Sequence, residues 1–467
     1  MFDRLYQCLG GHHLKDLGTY IKSLTFPSLR ATSLVLQGQT NNYVMRLLTF
    51  VSCAILVSSA FTKETMVKVE GNQFVLDGQT YLIKGANYWQ GMNLGAVESA
   101  GGNRTRLNEE LDQLKAMGIN NLRIMASSEG PDDQPYRMRP SLQPAPGKYN
   151  EDIFEGLDYF MNEIGKRNMT AVLTLSNFWH WSGGFSQYIN WITNETIPYP
   201  VTDWDTFTTW TRRFYTNPDI REKANKLYKA HIRKVQTRRN KFNGKLYTED
   251  PTVFSWQIAN EPQLGPKDWY DEIAAFIKQG APHQLVSSGC ESKVDKEDFL
   301  NAHSSKHIDY ATSHCWVENW GYYNASDPSK KSLKKAKTYA KDFISTRTEW
   351  ANEINKPIVL EEFGMARDAW RKPNDPEYKY DPATPTSHKD DYYKGIFKQI
   401  EHLAHQGRHS GANFWAYGGL GRSTDKPNQY NMTWLGDPPH EPKGWYSVYN
   451  DDTTVQVIKD FTKKLQK

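Results

Sequence analysis

Two glutamates end strand-like runs in this chain. Glu261 follows the apolar stretch from Val253 to Asn260 and precedes Pro262, which cannot extend a strand's hydrogen bonding. Glu362 ends a second run that starts at Ile358, and Phe363-Gly364 comes after it. Paired carboxyl groups suit hydrolysis of a glycosidic bond. One, kept protonated, donates to the leaving oxygen; the other, ionised, attacks the anomeric carbon. Retention of configuration asks for a separation of about 5–5.5 Å. Glu361 competes with Glu362, because neighbouring strand residues face opposite sides. Glu362 shares parity with Ile358 and Leu360, so Glu361 is expected to face the helices or an adjacent strand and to need a partner there. Glu129, Glu291 and Glu318 also lie beyond strand-like runs and read as loop or supporting residues. The 13 histidines form no H-E-x-x-H or comparable pattern, so neither a metal nor a cofactor is expected.

Positioning such a pair is the work of the surrounding elements. Strands are expected over Tyr81–Asn87, Asn121–Ala126, Ala171–Asn177, Val253–Asn260, Leu285–Ser288, Tyr310–His314, Ile358–Glu362 and Ala412–Tyr417. Several are apolar nearly throughout, as strands buried on both faces are. Helical spacing fills the gaps, for example Leu107, Leu111, Leu114 and Met117 before Gly118. Eight strands alternating with helices predict an α/β fold, a (β/α)8 TIM barrel with long βα loops, as one catalytic domain over 66–467. An open doubly wound sheet is the main competitor, and no Gly-rich phosphate loop follows the first strand to support its nucleotide-binding forms. A hairpin around Gly71-Asn72 precedes the barrel and is expected to plug its bottom. Barrel chemistry sits at the C-terminal strand ends. Those ends read Asn87, Arg123, Asn177, Asn260-Glu261, Cys290-Glu291, His314, Glu362 and Trp415, polar where the strand bodies are apolar. The fourth and seventh strands carry the two glutamates on opposite sides of the mouth.

Composition adds context. The chain has 15 Trp and 26 Tyr, whose faces suit the apolar faces of sugar rings. A net charge of +4 is spread along it, and the basic stretch from Arg233 to Lys245 reads as a solvated helix face, so no nucleic-acid partner is expected. Aromatics crowd the loop after the third strand, from Phe178 and Trp179 to Trp191. They form either a small loop core or stacking platforms; Trp89, Trp179, Trp320 and Trp445 are candidates for the latter. Near the N-terminus, Arg46 precedes an apolar run from Leu47 to Phe61 that is short for a bilayer, with small residues Ser58 and Ala60 near its end. Residues 45–60 therefore read as a signal peptide and 1–44 as an over-extended gene model or disordered tail, with a membrane-anchoring helix as the alternative. Five N-x-S/T sequons start at Asn103, Asn168, Asn194, Asn324 and Asn431.

The motifs Asn260-Glu261-Pro262 and Glu361-Glu362-Phe363-Gly364 resemble those of glycoside hydrolase family 5. The resemblance runs from about residue 67 to the end and is strongest to the endo-β-1,4-mannanases of subfamily 7. Lys84-Gly85-Ala86-Asn87-Tyr88-Trp89, Asn121-Leu122-Arg123, His314-Cys315-Trp316 and Asn413-Phe414-Trp415 carry it further. It implies Glu261 as acid/base and Glu362, before Phe-Gly, as nucleophile. It also implies that Arg123 orients the nucleophile, that Asn260 bonds the sugar 2-hydroxyl, that His314 lies near the acid/base, and that Trp415 floors the sugar. Trp316 stands where many members have Tyr, and Gln263 where many have Arg. Cys290 and Cys315 follow adjacent strands about 4.8 Å apart, within disulfide reach if the side chains face each other.

These readings converge on a secreted, monomeric, retaining endo-β-1,4-mannanase acting on mannan, glucomannan or galactomannan without a cofactor, and free of the membrane once its leader is removed. Substrate contacts are expected from Arg123, Asn260, His314, Trp316, Trp415, Trp89, Asn177, Trp179 and Trp320. The alternatives are a cellulase or β-1,3-glucanase of the same fold, or a non-hydrolytic sugar-binding barrel.

Overall fold

Strands that are apolar on both faces need cover on both faces, and the chain supplies it with helices outside and side chains inside. The computed structural model describes residues 65–325, 329–368, 375 and 378–465. Residues 1–44 and the expected leader at 45–60 lie outside them. A small antiparallel sheet comes first: β1 (Lys68–Glu70), β2 (Gln73–Leu76) and β3 (Gln79–Thr80). Eight parallel strands follow. They are β4 (Ile83–Asn87), β5 (Asn121–Met125), β6 (Thr170–Thr174), β7 (Val253–Gln257), β8 (Leu285–Ser287), β9 (Ala311–Cys315), β10 (Ile358–Phe363) and β11 (Gly411–Phe414). Their order in the sheet is β8-β7-β6-β5-β4-β11-β10-β9. A parallel bridge between Ser287 and Tyr310 joins the two ends, so the sheet closes into the expected (β/α)8 barrel.

The helices follow the sequence signals. Helix α1 (Gly91–Leu94) is one turn. Helix α2 (Arg104–Ala116) is capped by the Asn103 side chain and buries Leu107, Leu111 and Leu114. Asn150 caps α3 (Glu151–Lys166), whose buried stripe includes Ile153, Leu157, Phe160 and Ile164. A long insertion before β7 builds α4 (Gly184–Thr193), α5 (Trp204–Thr216) and α6 (Pro218–Gln236). Its aromatics extend the main core, with Phe185 stacked on Phe214 at 4.1 Å and edge-on to Trp269 of the helix after β7 at 5.7 Å. The remaining helices are α7 (Lys267–Gly280), α8 (Lys296–His303), α9 (Lys330–Glu353), α10 (Ser387–His405) and α11 (Thr454–Lys464). No helix among the described residues is long and apolar enough to cross a membrane.

Cys290 and Cys315 are both free and buried, so the disulfide allowed by strand spacing is not formed. Each sulfur is engaged elsewhere: Cys290 accepts the Ser292 N–H, and Cys315 meets the Tyr392 hydroxyl of α10.

The N-terminal hairpin closes the barrel floor. Phe74 is fully buried there, edge-on to Phe254 at 5.0 Å and to Tyr310 at 5.2 Å. Val67, Ile83, Val172, Leu285 and Val359 complete this cluster, which is separate from the main core. Phe74→Ala is expected to cost about 3–5 kcal/mol of stability while leaving turnover at 25 °C unchanged. Denaturant unfolding and initial rates check this; an unaltered midpoint would mean that the floor carries no stability.

Candidate active site

Both Glu361 and Glu362 enter the barrel, and the local backbone explains how. Ile358 packs on Phe299 and Ala351 of the outer helices, whereas Val359 belongs to the floor cluster inside. Inward parity therefore belongs to Glu361, the opposite of the face expected from the sequence. The pairing of β10 with β9 shifts between Leu360 and Glu362. This bulge turns Glu362 into the mouth as well. The two residues are 1% and 2% exposed.

Arg123, on β5, organises the mouth. It donates from Nε to Gln257 Oε1 (2.8 Å), from Nη1 to Asn87 Oδ1 (3.1 Å) and from Nη2 to Asn260 Oδ1 (2.7 Å). Nη1 also donates to Glu362, and Nε lies 3.6 Å from Glu361. Asn260 in turn donates to Asn177 Oδ1 (3.2 Å), which also accepts the Trp179 N–H. Gln257 donates to Glu361 Oε2 at 2.6 Å. Sequence reasoning passed over Gln257, although a lone long polar side chain in an apolar run is a usable signal.

Glu261 leaves β7 with φ 51°, a left-handed conformation that is uncommon outside glycine and is typical of functional turns. Its Oε2 accepts the Trp179 indole N–H at 2.5 Å, and its Oε1 meets His314 Nδ1 at 2.6 Å. The same Nδ1 is 3.4 Å from Glu362 Oε2, which also accepts the Trp316 indole N–H at 3.3 Å. Burial alone would lower His314, but Glu362, Glu261 and Glu361 override it and raise the imidazole to about 10. Burial would raise Glu261; the His314 hydrogen bond and charge outweigh it and hold the carboxyl below its ordinary value. Burial pushes Glu362 up to about 7, against the charges of His314 and Arg123. The mobile proton thus rests on the His314–Glu261 hydrogen bond.

Aromatic rings wall the space above. Trp415 is edge-on to Trp316 at 5.9 Å and to Trp181 at 6.5 Å, and Trp181 meets Trp89 at 5.6 Å. Trp89 also donates to the Gly436 carbonyl at 2.9 Å, tying the wall to the loop after β11. That loop is organised by buried Asp437, which accepts N–H groups from Gly444, Tyr446 and Ser447. It brings in His440, stacked on Trp181, and Glu441, neither of which the sequence reading singled out. Glu441 is half-buried, and its Oε2 is sealed from solvent beside the Trp415 indole. Burial, with the charges of Asp437, Glu362 and Glu261, raises its carboxyl well above the ordinary value. Only the mouth-facing position of its loop marks it, and that depends on the tertiary fold. Trp320 is not drawn into the cluster; it packs on Tyr339 and Phe343 of α9.

One atom each from Glu261, His314 and Glu362 lies within 4.8 Å of the others, the spacing a metal would need. A protonated imidazole is not a ligand, so a metal would compete with the proton that these groups share. What the arrangement does offer is a proton donor and a second carboxylate facing each other under an aromatic cover.

Comparison with known proteins bears on that chemistry. Residues 64–467 match the family described as glycoside hydrolase family 5 β-mannosidase-like. The solved glycoside hydrolase family 5 mannosidase from Rhizomucor miehei is 61% identical with a TM-score of 0.83, over 86% of this chain and 97% of that one. A single-site mutant of that enzyme has been solved in complex with mannosyl-fructose. Mannan endo-1,4-β-mannosidase 1 from Arabidopsis thaliana is 27% identical over 86% of this chain and 91% of its own length. Mannan endo-1,4-β-mannosidase 5 from Solanum lycopersicum is 28% identical over 78% and 87%.

The loop carrying Trp179 depends on Gly183 and Gly184, at φ 92° and 58°. A Cβ on Gly184 would fall 2.0 Å from the Asn177 carbonyl oxygen. Gly184→Ala is therefore expected to cost about 1–3 kcal/mol and to cut turnover as Trp179 leaves Glu261. Wild-type melting and rates in this variant would show that the turn is dispensable.

Proposed function

The chain belongs to the glycoside hydrolase family 5 β-mannosidase-like enzymes, and on that footing we propose that it cleaves β-mannosidic bonds with retention of configuration. One observation carries the reading: carboxyl oxygens of Glu261 and Glu362 lie within 4.8 Å, bridged by His314. Retaining pairs stand about 5–5.5 Å apart and inverting pairs about 6.5–9.5 Å.

The steps follow from the geometry. A bound sugar drives remaining water from the mouth, which penalises the charged His314–Glu261 pair and moves its proton onto the carboxyl. Glu362 attacks the anomeric carbon as the C–O bond breaks and Glu261 protonates the leaving oxygen. Glu261, now ionised, takes a proton from water, whose oxygen displaces Glu362 and restores the β-configuration. Arg123 and the Trp316 N–H hold Glu362 on line.

The mouth favours cleavage at chain ends. Glu261, Glu362 and Trp415 are only 6%, 2% and 4% exposed, and the loop carrying His440 packs on Trp181, which meets Trp415. This supports a β-mannosidase acting on manno-oligosaccharides. The second reading, internal cleavage of mannan, glucomannan or galactomannan, is favoured by the names of the plant relatives. β-1,4-Mannohexaose is expected to yield mannose stepwise, first as the β-anomer. Early di- and trisaccharides with a collapse of mannan viscosity would establish internal cleavage instead, and release of cello- but not manno-oligosaccharides would overturn the mannoside reading. Glu362→Ala is expected to lose activity by about 10⁴-fold, with azide giving an α-mannosyl azide; full activity would reassign the nucleophile.

A secreted, glycosylated chain fits the same picture. All five sequon asparagines are exposed, whereas Asn87, Asn177, Asn225, Asn260 and Asn413, outside sequons, are buried. In a eukaryotic secretory host the medium is expected to hold a protein that starts after the 45–60 segment and loses mass on enzymatic removal of N-glycans. Retention inside the cell with no mass change would overturn secretion.

A further inference from the structure

The carboxyls of Glu261, Glu362 and Glu361 gather around the Arg123 guanidinium. Two of them, Glu261 and Glu362, perform the chemistry proposed above. The third, Glu361, has no part in it, yet it shares the inward face of Val359 and lies directly beneath. It accepts from Gln257 Nε2 at 2.6 Å and from the Tyr310 hydroxyl at 3.3 Å. Its Oε2 lies 3.6 Å from Arg123 Nε and 3.7 Å from His314 Nε2. That Nε2 has no closer polar partner. His314 is therefore sandwiched, with Glu361 behind it and Glu261 and Glu362 in front.

We propose that Glu361 is the positioning residue that keeps the proton on the His314–Glu261 pair, by supplying the excess negative charge behind the imidazole. With Glu361 present, three carboxyls oppose one guanidinium, and a bound proton relieves the imbalance. Without its charge the excess falls from two to one and the proton is held more weakly.

Among the described residues, the other titratable groups nearby are held toward their neutral forms. Glu291 reaches Glu261 through Gln263, and burial raises it to about 8. Glu441, over the mouth, is also raised by burial. Buried Tyr310 is raised well above its ordinary value. His303, from α8, and His440 are lowered by burial to about 3 and about 4 and stay neutral.

The inference rests on Glu261 as acid and Glu362 as nucleophile. Its test is the pH profile of kcat/KM for para-nitrophenyl β-mannoside with the full chain. Glu361→Gln keeps an acceptor for Gln257 and removes the charge. Both limbs are expected to move about one unit toward acid, so that kcat/KM above the optimum falls about tenfold. A dinitrophenyl mannoside, whose leaving group needs no proton, is expected to lose far less there. Glu361→Asp, which retains the charge, is expected to restore the limbs. A folded Gln variant with lower kcat but unmoved limbs overturns the proposal. If that variant does not fold, Tyr310→Phe, which removes a donor from Glu361, is expected to move the limbs toward base, and unmoved limbs again overturn it. The parent reading fails separately: Glu261→Ala that loses the dinitrophenyl substrate as fully as the ordinary one removes Glu261 from the acid role, whatever Glu361 does.

Discussion

A guanidinium buried in a parallel barrel is the constraint around which this molecule is arranged. Arg123 is 3% exposed, and a desolvated cation is tolerable only when acceptors surround it. They come from β4, β7, the chain just after β7, and β10. Each strand must therefore hold its register for the charge to be satisfied. The same contacts fix the Glu362 carboxylate, so electrostatic solvency of the barrel and aim of the nucleophile are one requirement. Removing the arginine would leave two buried carboxyls facing each other.

Above this charged tier lies an aromatic one, and the two are made from different parts of the chain. The charged groups sit on strands or the first residues after them. The indoles of Trp179 and Trp181 sit in a loop that needs two glycines in left-handed backbone. Trp415 directly follows β11, and its cover is held by Asp437 and by Lys389, whose ammonium donates to the carbonyls of Tyr446 and Ser447 at 2.8 Å. Buried Asp437 and Lys389 thus serve the wall in the way Arg123 serves the floor of the mouth. Trp179 and Trp316 connect the tiers, each donating an indole N–H to one of the paired glutamates.

Periodicity and strand-end polarity made most of this legible in the sequence. The eight strands stand within a few residues of their expected places because apolar runs bounded by Gly, Pro and Asn leave few alternatives. Glu261, Glu362, Arg123, Asn260 and His314 were visible as polar residues ending apolar runs, and they do gather at one end of the barrel. Glu361 was misread because the inward face was set on Ile358 and Leu360, whereas Val359 points inward and Glu361 with it; the bulge that then brings in Glu362 leaves no sequence mark. The cysteine pair stayed open in the sequence for a different reason: strand spacing limits distance but not side-chain direction, and the fold leaves both thiols free. Trp320 shows the ambiguity of aromatics, since a ring beside a helix and a ring beside a sugar have the same composition. His440 and Glu441 lie far along a loop whose path only the folded barrel defines.

The floor hairpin has a consequence for handling the protein. Phe74 ties the first strands of the described chain to the face opposite the catalytic mouth. A tether joined ahead of Val67 therefore leaves from the blind end. Immobilised through that end on a solid support, the molecule stands with its mouth toward the bulk liquid, where a dissolved substrate can approach it without meeting the surface.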